Sequence, residues 1–124
     1  MIQGGLPISV HEPMYRGDTV TYDKGLLTDL DKKSQELILE WIDKYIVPTK
    51  GRPWTASREW RPAYSYGIKH RMEDYSHQHG GVGYISNNQA KHAMMFKGYM
   101  PIDENAEPNW CWRAEELSAP RDEN

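Results

Sequence analysis

The chain has 124 residues, 38% of them apolar, and 15 Lys and Arg against 18 Asp and Glu for a formal net charge of −3. That length suits one domain with a single modest core, and no run approaches the ~18 apolar residues of a membrane span. A single cysteine, Cys111, excludes an intrachain disulfide; with no basic and apolar signal-peptide pattern in residues 1–10, a reducing, cytoplasmic setting is expected.

The charge is unevenly spread. Residues 1–47 carry eight acids and five bases, residues 48–72 six bases against Glu59 alone, and residues 73–124 nine acids and four bases. A basic middle between acidic ends suits either an anion-binding patch or pairing within the molecule. Five Trp and eight Tyr stand against one Phe, so aromatics with polar handles must fill much of the core or serve an interface.

Residues 1–27 are broken by Gly and Pro and read as an irregular arm. Ile8–Val10 and Thr19–Tyr22 are short β-favouring runs that would pair as a small hairpin if they pair at all. A helix follows over about 29–46, with Thr28 as its cap and Asp31 in a relative of the capping box. Leu37, Ile38, Trp41, Ile42, Tyr45 and Ile46 form its apolar face, and Pro48 stops it. Pro48 to Pro62 contains four prolines and glycines, so no regular element is expected there. Basic residues alternate with Trp54 and Trp60 in this stretch. The pattern suits either a loop pinned by its two indoles or a nucleic-acid contact, where cations neutralise phosphates and rings stack on bases.

Ser65 reads as the cap of a second helix to about His77. Ile68, Met72 and Tyr75 would be buried, Lys69 and Arg71 exposed, and His79-Gly80-Gly81 would end it. After an extended piece at Val82–Ile85, Ser86 and Gln89 match a capping box, and Ile85 is placed to staple onto Ala90. This predicts a third helix over 87–97 with Ala90, Ala93 and Met94 inward and Gly98 as its stop. Tyr99–Ile102 and Trp110–Arg113 read as a hairpin around an acidic loop, and residues 114–124 as a frayed tail. The expected fold is therefore mainly α with a small β component (α+β): three helices plus a C-terminal β-hairpin over 28–113, winged-helix-like.

In such a layout the third helix reads the major groove, with Asn87, Asn88 and Lys91 beside His92 and Met95 on its exposed side. The nucleic-acid set is then Lys50, Arg52, Trp54, Arg58, Trp60, Arg61, Lys69, Arg71, Asn87, Asn88 and Lys91. The charges sit awkwardly with this: the helix has two lysines, and a wing carrying Asp103, Glu104 and Glu107 would be repelled by DNA. An opposite reading takes Asp103, Glu104, Glu107, Glu115 and Glu116 as an acidic, protein-binding face with Trp and Tyr anchors. His70, His77, His79, His92 and Cys111 lack the convergent spacing of a metal site, and Cys111 between two indoles suits an inert thiol. Gly80-Gly81-Val82-Gly83 lacks the lysine and preceding strand of a phosphate loop. No enzyme activity, metal or cofactor is expected.

The motifs Ser65-Tyr66-Gly67-Ile68-Lys69-His70, Gly83-Tyr84-Ile85-Ser86-Asn87-Asn88-Gln89-Ala90-Lys91, Gly98-Tyr99-Met100-Pro101 and Asn109-Trp110 resemble a family of small, mostly uncharacterised bacteriophage and mobile-element proteins. The helix ending in Ile46-Val47-Pro48 extends the resemblance over roughly 36–113. The family carries no established activity, so the resemblance implies context: an accessory protein acting in the host cell. It would be a nucleic-acid-binding or regulatory module, or else an anti-CRISPR-like inhibitor presenting a DNA-mimicking acidic surface to a host nuclease or replication protein.

Overall fold

A computed structural model describes residues 25–49, 60–102 and 110–121. Three helices accompany a three-stranded antiparallel sheet. The calls on residues 1–24, on Lys50, Arg52, Trp54 and Arg58, on Asp103, Glu104 and Glu107, and on the Trp60 side chain lie outside the described residues.

Leu27–Asp29 forms a single 3-10 turn, and helix α1 runs Lys32–Tyr45. Its cap is Asp31 rather than Thr28: the Asp31 carboxylate accepts from the Ser34 backbone N–H at 3.1 Å and from the Ser34 hydroxyl at 2.6 Å. Ile38, Trp41 and Ile42 are buried along its inner face as the period requires. The chain then turns directly into strand β1 (Ile46–Pro48), and strand β2 (Trp60–Tyr64) leads into helix α2 (Ser65–Gln78). At its two ends, Pro48 and residues 60–62, these strands correct the expectation that no regular element lies between Pro48 and Pro62; residues 50–59 lie outside the described ones. Pro48 ends one strand and Pro62 sits on a sheet edge, where a missing N–H breaks no ladder bond.

Helix α3 (Asn87–Phe96) follows the expected chemistry. Ser86 Oγ accepts from Gln89 N at 3.0 Å, Gln89 Oε1 accepts from Ser86 N at 2.8 Å, and Gly98 takes φ +95° after the helix. Ile85 and Ala90 are both fully buried beside it.

Strand β3 (Cys111–Leu117) is the centre of the sheet, in the order β1-β3-β2. Ile46 lies opposite Glu116 on one side, and Arg61 lies opposite Glu116 on the other. Residues 100–102 continue the β1 side: Pro101 bridges Trp112, Ile102 N donates to Cys111 O at 2.9 Å, and Arg113 N donates to Met100 O at 3.0 Å. The expected hairpin is thus one short bridge, and the segment assigned to a tail contains the rest of the central strand. Trp112, Ala114 and Glu116 alternate inward and are buried. Arg121 N donates to Lys44 O at 2.7 Å, so residues 118–121 also return to the helices.

Candidate functional site

The side of α3 expected to face a nucleic acid is turned inward. Asn87, Asn88 and Lys91 are each 0% exposed, and His92 and Met95 are buried with them. The cause is a segment more than 60 residues away in sequence. Leu27 N donates to His92 Nδ1 at 2.8 Å, Gln89 Nε2 donates to Leu26 O at 3.3 Å, and Asn88 Nδ2 donates to Gly25 O. Three polar side chains of α3 thereby grip the backbone of Gly25–Leu27, and Leu27 is buried at the contact. Lys91 lies with its ammonium 4.4 Å from the centroid of the Trp110 ring, a cation–π contact. This corrects the reading of Asn87, Asn88 and Lys91 as base-contacting residues: buried side chains cannot reach a groove.

Two cations of α2 are also engaged internally. Lys69, expected on the exposed side, is buried and pairs with Glu73 at 2.7 Å, with its ammonium 4.7 Å from the Tyr84 ring centroid. Glu73 holds more than Lys69: the Oε2 that Lys69 reaches also accepts from Ile85 N at 3.0 Å, and Oε1 lies 3.3 Å from His70 Nδ1. Arg71 grips Glu116 side-on, through Nε to one carboxylate oxygen and through Nη2 to the other at 2.6 Å. Gly67, one turn before Arg71, leaves the room this needs, because a Cβ there would meet Arg71 Nη2 at 2.6 Å. Glu116 is 2% exposed, which removes it from the acidic surface proposed by sequence. Glu115 is half-buried on the opposite face of β3.

Where α1, α2 and the end of the sheet meet, a cleft of about 230 Å³ opens. Trp41 and Tyr45 come from α1, Arg71, Asp74, Tyr75 and Gln78 from α2, and Arg61, Glu116, Leu117 and Ser118 from the strand ends. Trp41 and Tyr45 stack with ring centroids 5.5 Å apart, making an aromatic wall. Tyr75 is fixed at the side by donating to Glu40 at 2.9 Å and accepting from Lys44 at 3.2 Å. The bond from Tyr75, with Lys44 paired to Glu40 at 3.2 Å, holds the Glu40 carboxyl below its ordinary range, while burial raises the Tyr75 phenol. The side chains of Arg61, Asp74 and Gln78 are exposed where they line the cleft and form no hydrogen bond or ion pair with another described residue. Sequence reasoning found Arg61 through the basic run. It missed Asp74, Gln78 and Tyr45 as neighbours of Arg61, because only the fold brings α1, α2 and β2 together.

Cys111 is half-buried, and burial pushes its thiol above the ordinary range, with a smaller opposing effect from Tyr64. A thiol shifted that way is a weak nucleophile at neutral pH. Among the described residues no three His, Cys, Asp or Glu side chains converge on a metal-sized site, and no helix is long and apolar enough to cross a membrane. Comparison of the chain with protein-family models, curated proteins and solved structures gave no match.

Proposed function

We propose that the chain is a small nucleic-acid-binding accessory module of the phage type, whose contact is made by the basic run Lys50, Arg52, Arg58 and Arg61 with Trp54 and Trp60, and not by α3. The observation that carries this reading is how the cations divide. Lys69 and Arg71 are paired inside the fold, and Lys91 is buried against Trp110. Arg61 is exposed, and it closes a run that has four bases against Glu59 alone over residues 48–61.

The element order supports a winged-helix-like layout with a modified use. A strand precedes the α2–α3 pair, the bridge at Pro101 follows it, and β3 lies between those two. With the third helix gripping the chain's own backbone, recognition passes to a run that suits backbone neutralisation and base stacking, the chemistry of single-strand binding.

Fluorescence anisotropy with labelled single strands and duplexes at low salt tests the reading. Binding that weakens steeply with salt supports it, and no binding to any strand or duplex overturns it.

A second reading, a protein-binding inhibitor of a host nuclease, draws on the exposed Tyr64, Tyr66, Tyr84 and Met100, residue types enriched at interfaces. Its acidic surface is weakened by the commitment of Glu116 to Arg71. A stable complex with a host nuclease, combined with no nucleic-acid affinity, would favour it.

A further inference from the structure

We propose that the cleft between α1, α2 and the strand ends is a guanine site, taking an unpaired guanine from a bound strand or from a free nucleotide. The inference deepens the nucleic-acid reading and rests on it for the strand as the source of the base.

The size of the cleft limits what it can hold. At about 230 Å³ it falls below the ~300–1,000 Å³ of pockets for drug-sized ligands, which leaves room for one flat ring system. One wall is the half-buried Tyr45 ring, backed by its stack on Trp41, a surface suited to the face of a base.

The charges then decide between a base and a phosphate. A phosphate site would present cations alone, and this one does not. Glu116 lines it, buried and neutralised by Arg71, whose side-on grip engages two of the five N–H donors of a guanidinium. The exposed part of the lining adds a guanidinium, a carboxylate and an amide, on Arg61, Asp74 and Gln78, none of these side chains bonded to another described residue. Donors and an unneutralised acceptor lining one cleft match a base edge. Guanine offers the most to that set: O6 and N7 accept from a guanidinium in a two-bond contact, while N1–H and the 2-amino group donate as a pair to a carboxylate. Adenine and the pyrimidines lack that combination.

The sign of one substitution separates this from general electrostatics. Asp74 is exposed on a helix, so Asp74→Ala preserves the fold. Removing a negative charge ought to tighten any non-specific contact with a polyanion. The guanine site predicts the reverse for one ligand only.

The test uses the full chain, two 12-mers (all thymine, and thymine with isolated guanines) and the free nucleotides GMP and AMP, measured by titration calorimetry and anisotropy. Wild type is expected to prefer the guanine-containing strand by about tenfold, the size of one good two-bond contact, and to bind GMP over AMP. Asp74→Ala is expected to abolish both preferences while holding or tightening the all-thymine strand. The site is overturned if Asp74→Ala tightens both strands equally, or if wild type shows neither preference. In that last case, continued binding of the all-thymine strand leaves the nucleic-acid reading intact. GMP binding without affinity for any strand would keep the guanine site and remove the strand as its source.

Discussion

Glu116 shows how far a residue's role can lie from its type. Read as one more acid near the C-terminus, it belongs to a solvated surface. In the fold it is an inward residue of the central strand, held side-on by Nε and Nη2 of Arg71. Truncating one partner of a buried pair costs ~3–5 kcal/mol. Arg71 keeps 37% of its side chain exposed, so the stranded guanidinium can recover water. Glu116→Ala should therefore cost about 2–3 kcal/mol in urea unfolding; a loss below 0.5 kcal/mol, roughly the surface value, would contradict the role. Asp31 gives a pH signature. Hydrogen bonds from the Ser34 hydroxyl and backbone N–H lower its pKa from the ordinary value. A depressed folded pKa means stabilisation that is present above the unfolded pKa of ~3.9 and lost as pH falls through the folded value. The first turn of α1 should accordingly loosen below about pH 4, seen as faster exchange of the Ser34 amide, and Asp31→Asn should flatten that dependence.

At the scale of elements, the helices were legible because their signals are local. The Ser86–Gln89 box, the spacing of Ile38, Trp41 and Ile42, and the glycine after α3 each act within a few residues. The sheet was not, because its signals are non-local or disguised. β1 and β2 are short and carry Pro48 and Pro62, and the alternation of β3 is hidden by Glu116 at an inward position. The inward turn of Asn88 and His92 was equally hidden, since their partners are backbone groups of Gly25 and Leu27 rather than any recognisable side chain. That grip makes a prediction of its own. His92→Leu should release the Leu27 amide, raising its hydrogen-exchange rate well above wild type while the Ile42 amide in α1 stays protected. Unchanged protection of Leu27 would show that burial, and not the imidazole acceptor, holds the segment.

For the whole molecule, the candidate site was half readable. The basic run and Arg61 stood out in composition, but the cleft that Arg61 lines needs three elements drawn together by the core. Charge is also sorted by folding: Lys69 and Arg71 enter internal pairs and Lys91 is buried, so Arg61 and the run before it are left as the polyanion contact of the proposed function. The salt dependence of single-strand binding tests this most directly. On a strand without guanine, four cations on phosphates should give a slope of log K against log salt of about −3, since each contributes roughly −0.7 for a single strand. Arg52→Ala with Arg58→Ala should bring it to about −1.4, whereas Asn88→Ala should leave it unchanged. Absence of binding at low salt, or a slope unmoved by the double arginine variant, would contradict the account.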